Sequence, residues 1–304
     1  MERISFYDQI AKNKRNSLFL AAIVFFFLVA LIYVISLIIF PGLIFSFEMS
    51  ILVIIFSVFL VFIYAYFSFN YGDKIVLSAT NAKPIDENNP KYLHLVNTVE
   101  GLSIAAGIPK PKIYVIESEE INAFATGKNP ENSSIAVTTG LLENLNRSEI
   151  EGVIGHEISH IRNYDIRFMT LVAVMVGLVA ILSHSLLRSF LYGGGRRERR
   201  NGSAIFLLLG LILALVSPVI VRIVQFAISR RREFLADASS VELTRYPEGL
   251  ASALEKIMKI NQGKMNISEA VSHLFFTDPN RSPLDKLYAT HPPIEERIKI
   301  LRSM

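Results

Sequence analysis

Gly155-His156-Glu157-Ile158-Ser159-His160 is the stretch on which the reading of this chain turns. It has the form H-E-x-x-H. On a helix, residues four apart share one face, so His156 and His160 stand side by side. Two imidazoles so placed grip one zinc ion, and Glu157 reaches a water held there. The flanking sequence predicts that helix. Ser148 and Glu151 have the spacing of a capping box, which starts the helix at Ser148. Val153, Ile154, Ile158 and Ile161 recur at helical spacing beside the histidines. The bare five-residue pattern also occurs on surface helices that carry two histidines by chance. The cap and the apolar stripe distinguish this one.

The 304 residues are 51% hydrophobic, with a mean hydropathy of +0.40. That is too apolar for an ordinary soluble domain and predicts a membrane protein with a substantial polar part. There is no cysteine, which excludes disulfides, thiolate zinc sites and a cysteine nucleophile. Any zinc must then be held by histidine and carboxylate, the donor set of catalytic rather than structural sites. The net charge is +4 and the pI ≈ 9.2. The basic residues border apolar runs, where membrane topology calls for them, so no nucleic-acid partner is expected.

From the N terminus, Arg3, Lys12, Lys14 and Arg15 precede an uncharged run, 17–40, long enough to span a bilayer. The run is too long for the apolar part of a signal peptide, and no small-residue cleavage site follows it. The loop 41–50 has Glu48 and no Lys or Arg, and 51–69 is a second uncharged run. The charge bias puts the N terminus in the cytoplasm and returns the chain there near Asn70. Residues 1–70 thus form a transmembrane hairpin and 71–167 a cytoplasmic region. In that region the sequence predicts a helix from Asn89-Pro90 to about Ala106, ended by Gly107-Ile108-Pro109. A strand follows at Lys112–Glu117. Ile121–Gly127 and Ser134–Thr139 flank a polar turn and predict a small antiparallel hairpin just before the H-E-x-x-H helix.

Nothing obvious stops that helix before a third apolar run, 168–187. A glycine- and arginine-rich loop (Gly193–Gly195, then Arg196, Arg197, Arg199 and Arg200) leads to a fourth, 203–221. If both runs cross, these arginines lie outside, against the positive-inside bias; the alternative is a hairpin that does not cross fully. Four spans is the reading adopted, with 168–225 a second transmembrane hairpin. Residues 226–304 form a polar, helical C-terminal region, clearest as a helix over Leu250–Ile260.

A catalytic zinc takes three protein ligands and leaves one position open. His184 lies far down the third apolar run, where a polar contact within the bundle accounts for it. His94 sits on an amphipathic helix, and His273 in a loop. Glu233 fits better. It lies in Arg230-Arg231-Arg232-Glu233-Phe234-Leu235-Ala236-Asp237, just after the fourth apolar run, while H-E-x-x-H lies just before the third. A helical hairpin brings the two stretches to one surface. Glu233 and Asp237 are four apart, so one can bind metal while the other orients a ligand imidazole. The competing reading pairs Glu233 with its arginine neighbours.

Four motifs, in order, resemble the HtpX-type membrane zinc metalloproteases, relatives of the CAAX prenyl proteases. They are Asn122-Ala123-Phe124-Ala125, His156-Glu157-Ile158-Ser159-His160, Glu233-Phe234-Leu235-Ala236-Asp237, and His291-Pro292-Pro293 with Arg297. The resemblance covers nearly the whole chain. It implies a mainly α membrane protein with four transmembrane helices and a cytoplasmic zincin-like domain carrying a small antiparallel β-sheet. It implies one zinc per chain on His156, His160 and Glu233, with Glu157 as general base. His291 would act in the transition state or beside the ligands, Arg297 as its structural neighbour, and Asp237 and Asp165 as supports of the ligand shell. Asn122, Ala123, Phe124 and Ala125 would form the edge strand that holds substrate in extended form, which agrees with a strand read near the site; an ordinary packed hairpin is the plainer account.

The implied activity is zinc-dependent endopeptidase cleavage of misfolded or damaged membrane proteins at the cytoplasmic face of the cell membrane, a quality-control and stress-response role. Arg162, Arg167 and Arg230–Arg232 border the apolar runs and are expected to reach the headgroup layer, keeping the site close to the bilayer. Two alternatives stand beside this reading. One is a CAAX-type protease that processes prenylated C termini, disfavoured by the short chain and its few spans. The other is a non-catalytic membrane chaperone or scaffold with structural zinc, disfavoured because such a site has no use for Glu157.

Overall fold

The computed structural model describes residues 22–33, 46–174, 230–280 and 291–304, with isolated positions 15, 18, 19, 36 and 177. Two apolar helices come first, α1 (Ala22–Tyr33) and α2 (Phe47–Ala79). The Ser46 hydroxyl caps α2 by accepting from the Met49 N–H. At 33 residues, α2 runs for about 50 Å, against about 30 Å of hydrocarbon in a bilayer. It contains the predicted second span and extends beyond both of its ends. Among the described residues it is the one helix long and apolar enough to cross a membrane. Its apolar side chains point outward, with Phe56 and Phe62 largely exposed, whereas Val76 and Leu77 at its C-terminal end are buried. α1 covers the middle of the first predicted span. The third is described only as far as 174, apart from 177, and the fourth lies outside the described residues.

The polar part is helical around one small sheet. β1 (Lys83–Pro84), α3 (Leu93–Ala106), β2 (Lys112–Ile116), β3 (Ala123–Asn129) and β4 (Asn132–Thr138) come in order. Gly107 ends α3 in a left-handed conformation, φ 68°, as its position after the helix predicts. α3 starts at Leu93, later than the Asn89-Pro90 reading, because 89–92 close as turns with Tyr92 N–H donating to Asn89 C=O. The sheet order is β1-β2-β4-β3. The β3–β4 hairpin is antiparallel as expected. The sheet as a whole is mixed, not antiparallel, since β2 pairs with β4 in parallel from Lys112↔Ser134 to Ile116↔Thr138. The reason is that residues 117–122 cross the end of β4 instead of turning back beside β2. Gly140 lies against this crossing, where a Cβ would stand 2.1 Å from the Glu119 carbonyl oxygen. β3 is left as an edge strand.

α4 (Thr139–Asn144) leads to α5 (Arg147–Arg162), the H-E-x-x-H helix. Its capping box is formed by Asn146 and Glu149, two residues before the predicted Ser148–Glu151 pair. Asn146 takes the extended backbone a cap needs, and Ser148 is inside the helix, its hydroxyl donating to Asn146 Oδ1. From Gly152 to Ile161 every residue of α5 is buried. It is the central helix of the domain, wrapped by α3, β3, α7 (Arg230–Thr244) and α8 (Pro247–Ile260). Two glycines allow the close approach. A Cβ on Gly152 would meet Leu250 N at 2.7 Å, and one on Gly155 would meet Ser240 Oγ at 2.8 Å.

α5 stops at Arg162 and does not run on into the next apolar segment. Asn163 caps it and Tyr164 turns left-handed at φ 61°. A new helix, α6 (165–174), starts from there and packs on α2, with Tyr64 Oη donating to the Val174 carbonyl at 2.7 Å. The short α9 (Glu269–Ser272) and α10 (Ile294–Leu301) complete the described elements.

Candidate metal centre

His156 and His160 occupy successive turns of α5, and α7 faces them with Glu233 and Asp237. The Nε2 atoms of the two histidines are 3.1 Å apart. Glu233 Oε2 lies 3.7 Å from His156 Nε2, and Oε1 lies 3.7 Å from His160 Nε2. The three residues offer ligand atoms that all fall within 4.8 Å of one another. The predicted grouping of His156, His160 and Glu233 is therefore met in space, with Glu233 facing the two histidines across from α5.

The opposite nitrogens of the two rings are held by carboxylates. His156 Nδ1 is 2.9 Å from Asp237 Oδ1, and His160 Nδ1 is 3.2 Å from Asp165 Oδ2. Asp237 in turn accepts two bonds from Arg297, at 2.9 Å from Nε and 2.7 Å from the guanidinium terminus. Arg232 lies 3.7 Å from Asp165. Each imidazole thus backs onto a carboxylate, and each carboxylate onto an arginine. The break at Tyr164 is what lets Asp165 reach back to His160, because on a continuous helix the fifth residue points elsewhere. Arg232, expected only as one of the arginines bordering an apolar run, lies beside Asp165 and over the Phe168 ring, and no spacing in the sequence links it to Asp165.

This arrangement tests whether a metal fits. With both Nδ1–H groups donated to aspartates, both Nε2 atoms present lone pairs to each other. At 3.1 Å that is repulsive unless a proton or a cation lies between them. Zinc bonds to imidazole of about 2.0–2.1 Å in tetrahedral geometry set two nitrogens about 3.3 Å apart. The donor set, two imidazoles and a carboxylate, is that of a catalytic zinc. The residues fit the metal.

Electrostatics agree. Burial pushes His156 down to about 4, outweighing Asp237. Burial also opposes charge on His160, but Asp165 and Glu233 lift it to about 9. Burial works against charge on Glu233 as well, yet His291, His160 and His156 hold it well below the usual carboxylate range. Asp237 is likewise held down to about 2 by Arg297 and His156, against burial. Without metal, the pocket keeps its ligand carboxylate ionised and one proton on His160.

Glu157 is 2% exposed. Burial pushes its carboxyl up to about 7, with the His160 charge and a hydrogen bond from the Ala125 main chain pulling it back. A carboxyl near neutrality, beside a metal site, suits a group that takes and returns a proton. His291 Nδ1 is 2.9 Å from Glu233 Oε2. Its Nε2 is buried with no partner among the described residues. Asn122 to Ala125 are all buried at the start of β3, which packs against α5. The other histidines stay apart. His94 lines a separate cleft with Pro90, Arg147 and Glu151, and His273 Nε2 faces the Met169 carbonyl. Sequence reading missed Phe276, whose ring meets His156 edge-on at 4.9 Å and carries the Arg297 guanidinium at 4.7 Å.

The profile of peptidase family M48 matches residues 91–304. A protein described as "Protease HtpX homolog" from Dictyoglomus turgidum is 44% identical over 305 residues, covering 100% of this chain and 96% of that protein. Another of the same description, from Thermoanaerobacter pseudethanolicus, is 48% identical over 256 residues, 83% of this chain and 84% of its own. A crystal structure of S. mikatae Ste24p aligns at 22% identity and a TM-score of 0.47 over 90% of this chain, which spans 62% of that one.

Proposed function

The chain belongs to peptidase family M48, and from that premise we propose that it is a membrane-embedded zinc endopeptidase that cuts unfolded segments of membrane proteins at the cytoplasmic face. The observation that carries this reading is the convergence of His156, His160 and Glu233, with ligand atoms within 4.8 Å, directly beside a buried, near-neutral Glu157.

His156, His160 and Glu233 hold the metal. Bound there, zinc supplies an acidified water, with a pKa near 7, and polarises the scissile carbonyl. Asp237 and Asp165 fix the two imidazoles in the tautomer that aims Nε2 inward. Arg297 and Arg232 hold those aspartates in place. Glu157 takes the proton of the attacking water and returns it to the leaving amine. His291, anchored through Nδ1 on Glu233, directs Nε2 toward developing charge on the scissile oxygen. β3 takes the substrate as an added strand through its Ala123 and Ala125 main chain. Such pairing reads backbone more than side chains and suits unfolded chains of varied sequence.

Support for the membrane part comes from α2, whose outward apolar face needs a cover and whose end packs into the same cluster as β3. A substrate on β3 therefore lies beside the foot of a membrane helix. Quality control of membrane proteins is the role that best joins an extended-chain site to that position. To test it, the purified chain in detergent is given an unfolded membrane protein and, separately, a prenylated C-terminal peptide. Zinc-dependent cleavage of the first is expected. Efficient cleavage of the prenylated peptide alone would replace this reading with C-terminal processing.

A further inference from the structure

The outer edge of β3 is already met by residues 275–277. Phe275 bridges Phe124 in antiparallel sense. Phe276 N–H donates to the Ala123 carbonyl at 2.8 Å. The Asn122 side chain clasps Thr277 from both sides, its Nδ2 donating to the Thr277 carbonyl at 2.9 Å and its Oδ1 accepting from the Thr277 N–H at 3.2 Å. All three pairings fall in one antiparallel register. The Phe276 ring rests edge-on against the ligand His156 and under Arg297. These are the backbone groups and the space that an extended substrate needs.

We infer that Leu274–Thr277 is a resident pseudosubstrate strand, which occupies the substrate lane of β3 and must leave before a polypeptide can be cut. The inference rests on the protease reading above. Two features fit a removable strand better than a permanent wall. First, the segment belongs to a loop that closes on itself. Met265 N–H donates to the Pro279 carbonyl at 3.1 Å, and Ile267 N–H to Asn280 Oδ1 at 2.9 Å, so the root holds together when the tip moves. The root is preceded by left-handed Gly263, φ 71°, and contains Asn266, φ 53°, and it borders a cleft of ≈ 740 Å³ lined by Gln262, Lys264, Met265 and Ile267. Second, the seat is imperfect. Thr277 Oγ1 is buried with no partner among the described residues, a cost relieved on return to water. When the strand leaves, the place of Phe276 is open to a large apolar side chain of the substrate.

The test uses the full-length, zinc-loaded chain in detergent micelles, with unfolded casein as probe. In Glu157→Gln, which holds casein without consuming it, the Phe276 and Thr277 amides should exchange hydrogen at least tenfold faster once casein is bound. Unchanged or slowed exchange in the casein complex overturns the inference. In the otherwise wild-type chain, Phe276→Ala should raise casein cleavage at least threefold; an equal or lower rate at full zinc content counts against it, and the exchange measurement stands whether or not that variant folds. If the zinc-loaded wild type cuts no casein, the protease reading fails and this inference with it. If it cuts casein while exchange at 276 and 277 stays unaltered, only the inference fails.

Discussion

His160 carries the clearest consequence at the scale of single residues. In the metal-free chain Asp165 and Glu233 lift it to about 9, while His156 sits at about 4 and is neutral throughout the physiological range. A metal must therefore displace one proton, from His160, to bind at neutral pH. Raising the pH from 6 to 8 lessens that competition, so zinc affinity should rise by about tenfold per pH unit and level off above 9. Chelator competition at several pH values measures it, and a flat profile would take His160 out of the ligand set. Asp237→Asn should weaken zinc binding by about 10–100-fold, since the carboxylate orients His156. Chelator competition on that variant checks it, and affinity within threefold of wild type would deny Asp237 its orienting role. His156 and His160 are legible in the sequence because H-E-x-x-H is a local pattern with helical spacing; spacing makes Glu233 a candidate beside its arginine neighbours, and the resemblance singles it out as the third ligand. The roles of Arg232 and Phe276 are not legible, because each meets its partner only through tertiary packing of distant segments.

At the scale of elements, the site depends on how α5 is gripped. α8 crosses it at Gly152, where a Cβ would meet Leu250 backbone at 2.7 and 2.8 Å. Backbone cannot yield as a flexible side chain can, so Gly152→Ala should push the helices apart and destabilise the fold by about 1–3 kcal/mol. Thermal unfolding in detergent checks this, and an unchanged midpoint would mean that α5 and α8 are not in contact at Gly152. The position and central turns of α5 were readable from its apolar spacing. Its cap lies two residues before the predicted one, because Ser148 and Asn146 both satisfy cap chemistry and only backbone geometry separates them. The stop at Tyr164 was invisible, since a left-handed tyrosine has no sequence signature. Yet that stop puts Asp165 on His160. The parallel pairing of β2 with β4 was hidden for a similar reason. Alternation shows a strand, but not which neighbour it takes.

At the scale of the whole molecule, α2 joins two environments. Its apolar residues face outward along most of its length, and its C-terminal end shares a buried cluster with Phe124 of β3 and with Phe275. The chain should therefore stay with the membrane fraction under alkaline extraction; release into the supernatant would contradict a membrane-embedded enzyme. Composition and uncharged runs made that class readable from sequence, whereas the closed approach to the metal centre depends on the loop at 265–280 folding back onto β3. The most direct test of the account is cleavage of an unfolded substrate by the purified chain, compared with Glu157→Gln and with the chelated wild type. The account predicts that Glu157→Gln keeps about one zinc per chain while its rate falls by about 10²–10⁴-fold. It also predicts that chelation stops the wild type and that added zinc restores it. Cleavage by Glu157→Gln at the wild-type rate, or undiminished cleavage after zinc is removed, would contradict it.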